Sequence, residues 1–156
     1  LHPLEGSAVG PDVGVTQIDA STRIGIGAYA HSNEQQEDDR QQFMLGDTRS
    51  LDEVIRELAE MGYITSFCTA GYRCGRTGTL IMDLLKRGKE GRFCKLNAIL
   101  TFKEWLNDFA TTETRQQGEK VIANEIAEVQ AEIPDVYPEL CDYLQRIDNG
   151  ERDFYF

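Results

Sequence analysis

The sequence predicts an α/β chain that turns wholly helical in its second half, and three observations carry that reading. Val13, Val15 and Ile18 are β-branched and run into a polar, glycine-bearing turn, the pattern of a short buried strand ending near Asp19. Leu51, Val54, Ile55 and Leu58 fall on one helical face, Gly62 stops that helix, and Tyr63–Phe67 follows as a second short strand. Helix, glycine, strand is the grammar of βα-barrels and of open α/β sheets alike. From Asn97 onward only helical spacing remains.

Taken in order, residues 1–11 are rich in glycine and proline and predict a loose lead-in that carries His2. Ser21, Thr22 and Arg23 follow the first strand, and parallel α/β folds place their sites just beyond strand ends. Those three residues therefore face a ligand or serve ordinary turn chemistry. Gly25 and Gly27 do not complete a dinucleotide fingerprint. Residues 30–42 are polar and without apolar period, which predicts an exposed loop; His31 within it is a candidate fourth metal ligand. Ser50 with Glu53 forms a capping box that opens the next helix. Leu80, Ile81, Leu84 and Leu85 mark a helix stopped at Gly88. Ile99, Phe102, Leu106 and Phe109, with Trp105 beside them, mark another. Ile122, Ile126, Val129 and Ile133, closed by Pro134, mark a third, and Val136, Leu140, Tyr143 and Ile147, ending at Gly150, a fourth. These stripes read as packing faces, and Cys141 beside Leu140 reads as a buried or half-buried structural thiol.

The totals exclude several classes. A chain of 156 residues is about one domain in length and can bury a core. A net charge of −11 argues against a nucleic-acid surface, which needs clustered lysine and arginine. No apolar run approaches the roughly 20 residues of a membrane span, and no leader pattern is present, so a cytoplasmic protein is expected. Four cysteines in such a chain predict reduced thiols, metal-binding or buried, rather than a disulfide framework. A start at Leu1 rather than Met predicts a fragment or a processed product.

Chemistry concentrates between Tyr63 and Cys94. Cys68, Cys74 and Cys94 lie there with Arg73 and Arg76, around a turn punctuated by Gly71, Gly75 and Gly78. The spacing C-x5-C-x19-C offers neither paired zinc knuckles nor a redox CxxC. Thiolates beside cations suit an iron–sulfur cluster, although three cysteines leave one iron without a protein thiolate. On spacing alone, zinc completed by His31 stays open as well.

The segments SFCTAGYRCGRTG, FCKLNAILTFKEWLNDFA and GERDFYF resemble the C-terminal part of the HydG-type radical SAM maturases of FeFe-hydrogenase. GVTQIDASTRIGIGAY and GDTRSLDEVIRELAEMGYI are similar to the same family's last barrel segments, so the resemblance runs in order from residue 13 to 156. More distantly, the chain resembles the tyrosine lyase of thiamine synthesis. The resemblance implies terminal βα units of a TIM-type barrel over residues 1–67, then a small mainly helical C-terminal domain over 68–156 that carries an auxiliary iron–sulfur loop.

It also implies a parent lyase with two clusters. One, held by CxxxCxxC, cleaves S-adenosylmethionine and splits tyrosine. The other, a 4Fe-4S cluster on C-x2-C-x22-C, serves the conversion of the fragment into carbon monoxide and cyanide for hydrogenase cofactor assembly. Cys68 and Cys94 match the first and third ligands of the second motif, and Arg23 matches an arginine implied to hold the substrate carboxylate, a bidentate role suited to Arg. Two departures follow. No CxxxCxxC exists in this sequence, so the chain alone is expected to be inactive as a lyase. Gly71 stands where the family has its middle ligand. Cys74 lies three residues on, about 4.5 Å if the segment is helical, and is a stand-in ligand. Otherwise the cluster is weakened or lost, or another metal takes the remaining thiols. The opposed reading is a non-catalytic structural or interaction module of the same fold. The expected partners are the missing N-terminal radical SAM half or a second copy of the chain, with hydrogenase maturation proteins beyond them; neither nucleic acid nor membrane is expected.

Overall fold

Residues 49–67 and 90–156 are described in the computed structural model, and every regular element among them is an α-helix. They form α1 (Leu51–Glu60), α2 (Glu90–Asp108), α3 (Thr112–Glu132) and α4 (Tyr137–Asp148). The chain divides into two units, Leu1–Val54 and Ile55–Phe156. The second holds nearly all the described residues.

This overturns the α/β, TIM-type barrel expectation for the described residues. Tyr63–Phe67, expected as a strand, has no ladder partner among them. Its first amide is spent on the helix before it, and Ile64 and Phe67 pack their side chains against the helical core instead. A β-branched, aromatic pentapeptide is suited to a pleated surface, but a strand exists only where another backbone pairs with it. The strand expected at residues 13–18, the loop at 30–42 and the helix at 80–88 lie outside the described residues.

Helix ends obey local chemistry. The Ser50 backbone amide donates to Glu53 Oε2 at 2.7 Å, and the Glu53 amide donates to Ser50 Oγ at 3.3 Å, which is the capping box. Gly62, at φ 88°, lets Tyr63 N–H reach Leu58 O and its own N–H reach Ala59 O. Gly150, at φ 96°, does the same for Glu151 N–H on Arg146 O and its own N–H on Ile147 O. Both are Schellman closures, which need the left-handed conformation that glycine adopts most easily. Thr111 caps α3 by accepting from the Thr114 amide, and α3 stops at Ile133 before Pro134.

α2 is the central element. It begins at Glu90, well before the Asn97 start read from the stripe, and its fully buried Leu96 extends the apolar face toward that end. Residues 96–103 are buried without interruption, so this helix is enclosed rather than two-faced. Leu96, Ile99, Leu100, Phe102 and Leu106 are fully buried against Ile122 and Val129 of α3, Leu140, Leu144 and Ile147 of α4, and Ile55 of α1. Phe109, expected as the last member of the stripe, is 72% exposed, because α2 ends one residue before it.

Enclosure forces the polar side chains of α2 to find partners. Thr101 returns its hydroxyl to Asn97 O at 2.8 Å. Lys103 is gripped by Glu119 of α3 at 2.7 Å and Asp148 of α4 at 3.0 Å, so one ammonium ties three helices. The carbonyls left over at the end of α2 are met from the next helix. Arg115 donates to Leu106 O and Asn107 O at 3.2 and 2.9 Å.

Candidate functional site

Of the residues singled out for chemistry, Arg23, Cys68 and Cys74 lie outside the described residues, as do Gly71 and His31. Cys94 is described. It sits in the N-terminal half of α2, exposed and outside any disulfide. Its turn is anchored from behind by fully buried Leu96. The flanking cations are already engaged: Arg92 pairs with Asp135 at 2.5 Å, and Lys95 with Glu128 at 2.5 Å and Glu125 at 3.2 Å. The Arg92 guanidinium holds the Asp135 carboxyl below its ordinary range. Burial pulls the Lys95 ammonium down, but the hydrogen bonds to Glu128 and Glu125 outweigh it and its pKa is raised. Cys94 is thus an exposed thiol whose neighbouring cations on α2 are already paired.

Among the described residues, no group of three His, Cys, Asp or Glu side chains comes together as a metal site. That follows from where the thiols lie, since Cys94 is the one member of the candidate triad that is described. Cys141, read as structural, is half-buried on α4 and free of disulfide. Its thiol lies one turn after Tyr137 and pushes the Tyr137 hydroxyl up. Three residues before Cys68, the Thr65 hydroxyl is buried without a hydrogen-bond partner. A buried hydroxyl in that state costs about 1–3 kcal/mol.

Sequence reading missed how residues 151–156 attach to α2. Asn97, 8% exposed, accepts from the Phe156 amide at 2.8 Å and donates to the Phe156 main-chain oxygen at 3.4 Å. Glu104 accepts from the amides of Asp153 and Phe154 at 2.9 and 3.3 Å. Asp108 takes the Arg152 guanidinium through both oxygens, which holds its carboxyl below the ordinary range. Tyr143 of α4 stacks on Phe154 at 4.8 Å and tilts against Phe156 at 5.3 Å, while the Arg146 guanidinium lies 4.4 Å over the Phe154 ring. The available signal was alternation, with Phe154 and Phe156 inward and Tyr155 43% exposed.

A solved crystal structure of HydG, a maturase of the FeFe-hydrogenase, matches this chain with a TM-score of 0.80 at 41% sequence identity. The chain is similar to the C-terminal region of HydG. The match covers 97% of this chain and 31% of the HydG chain, so the present sequence spans about a third of HydG's length. No family model matches the chain, and no curated protein matches it. The likeness to HydG agrees with the helical architecture of the described residues and with the resemblance carried by the cysteine stretch. No helix among the described residues is long and apolar enough to cross a membrane.

Proposed function

We propose that this chain is the auxiliary-cluster segment of a HydG-like maturase acting in FeFe-hydrogenase maturation, with its helical part, residues 68–156, holding a 4Fe-4S cluster. The observation that carries the reading is the 41% identity with HydG over 97% of the chain. Cys68 and Cys94 are the matching ligands, Cys74 stands in for the ligand missing at Gly71, and Arg23 holds a substrate carboxylate. Cys94 fits that task in its own surroundings, being free, exposed and carried on a well-anchored helix. When bound, the cluster supplies the iron–sulfur chemistry of the carbon monoxide and cyanide step. Cleavage of S-adenosylmethionine and of tyrosine belongs to a longer protein, because this sequence contains no CxxxCxxC. The radical SAM part of that protein is the principal partner.

Anaerobic reconstitution with iron and sulfide tests the proposal. The chain is expected to take up about four irons, with the charge-transfer absorbance of a cluster held by thiolates. Cys94→Ser and Cys74→Ser should each lose most of that iron, and Cys141→Ser should keep it. No iron at any ratio, or iron indifferent to all three substitutions, would sink the cluster reading. It would favour a module that keeps the fold without the chemistry. One observation supports that second reading: among the described residues the buried core of α2, α3 and α4 includes no thiol, so its packing does not depend on a metal.

A further inference from the structure

The three attachments of residues 151–156 to α2 fall in order. Arg152 meets Asp108, Asp153 and Phe154 meet Glu104, and Phe156 meets Asn97. The segment therefore runs antiparallel to the helix. Lengths agree with this. From Asp108 back to Asn97 the helix rises about 16 Å at 1.5 Å per residue, and the four steps from Arg152 to Phe156 span at most about 13 Å, the Arg152 and Asn97 side chains making up the difference. Asp153, at φ 70°, is the one non-glycine residue with positive φ among those described, and it lies where the segment turns onto Glu104. The ring of Phe154 is clamped between Tyr143 and Arg146, which fastens the same segment to α4.

We propose that Glu151–Phe156 is a strap that positions the Cys94 end of α2, with Asn97 as its fastening residue. Asn97 lies three residues past Cys94, about 4.5 Å along the axis and nearly one full turn, so the strap ends beside the turn that bears the thiol. Its amide is used at both ends on Phe156, and it is buried, so a substitute must satisfy the same main-chain groups or leave them orphaned. The other two fastenings hold the far half of the helix. Asn97 is thus a positioning residue, acting on Cys94 through the geometry of one helical turn. Its bearing on cluster binding rests on the reading of Cys94 as a ligand.

Hydrogen exchange on the 156-residue chain, read by mass spectrometry, tests the strap without any metal. Asn97→Ala is expected to speed exchange of the amides at 94–98 about tenfold, the loss of roughly one net hydrogen bond, while amides within Thr112–Glu132 stay as they were. Asn97→Asp keeps an acceptor for the Phe156 amide but loses the donor to the Phe156 oxygen, so it should restore only part of the protection. Tyr155→Ala, at an outward position, should change nothing. Equal loss over all helices, or no change at 94–98, would overturn the strap. Reconstitution of the same variants then separates the two ideas. If the wild-type chain binds iron, Asn97→Ala should broaden or shift the electron paramagnetic resonance of the reduced cluster and Asn97→Asp should recover it in part; an unchanged signal in Asn97→Ala overturns the positioning role. A wild-type chain that binds no iron overturns that role together with the cluster reading, and the exchange result still decides the strap.

Discussion

Leu106→Ala is expected to lower stability by about 4 kcal/mol, toward the upper part of the range for buried leucines. Leu106 is fully buried where α2 meets α3, and the residue facing it is Gly118. A Cβ built at Gly118 would stand 2.5 and 2.7 Å from the two Leu106 δ-carbons, so the leucine occupies the space that a side chain on α3 would otherwise fill. With only helix backbone opposite, the cavity left by alanine has little with which to collapse. The converse change, Gly118→Ala, gains about 1 kcal/mol of helix propensity but overpacks a closed site, a cost of about 1–3 kcal/mol. Overpacking wins, for a net loss near 1 kcal/mol. In the double variant the new methyl enters the vacated space and both penalties shrink. It should therefore be more stable than the sum of the singles by about 1–2 kcal/mol, read from urea midpoints. Additivity within about 0.5 kcal/mol would show that the two positions do not share a space.

Lys103→Ala is the second large effect, expected at about 2–3 kcal/mol. Removing one partner of a buried ion pair costs about 3–5 kcal/mol when the remaining charge is stranded. Here the Glu119 and Asp148 side chains keep 39% and 55% of their exposure, so water takes over part of the lost interaction. Lys103→Met keeps the apolar stem and should fall between wild type and alanine. The pair also dictates a pH response. Burial pulls the Lys103 ammonium down, but its bonds to Glu119 and Asp148 prevail and its pKa lies above the ordinary 10.5. Its contribution is therefore fully present below 10.5 and is lost as pH rises through the higher folded value. Burial pushes the Asp148 carboxyl up, but Lys103 and Asn107 outweigh it, and its pKa lies below the ordinary 3.8. That contribution is present above 3.8 and is lost as pH falls through the lower folded value. Lys103→Met should flatten the alkaline loss and reduce the acid one. A stability profile identical to wild type above pH 10 would contradict the assignment.

What the sequence determined by itself was local. Ser50 with Glu53, Gly62, Pro134 and Gly150 set helix ends because each acts on backbone groups within about one turn of itself. The apolar stripes of α3 and α4 were legible for the same reason, and the likeness to HydG could be read from the cysteine stretch and its flanks. Tertiary structure decided the rest. Tyr63–Phe67 had the composition of a strand, but pairing depends on a second backbone, and the helical core took its side chains instead. Phe109 kept the helical period yet fell beyond the helix end, out of the core. Asn97, Thr101 and Lys103 lie outside the apolar stripe read from the sequence, yet they are buried in the stretch 96–103, which packs against α3, α4 and residues 151–156. Asn97 meets Phe156 across 59 positions of sequence, a contact that no local rule specifies. A cap requires only its neighbours, whereas a ladder, a buried ammonium and a strap require partners that folding alone brings near.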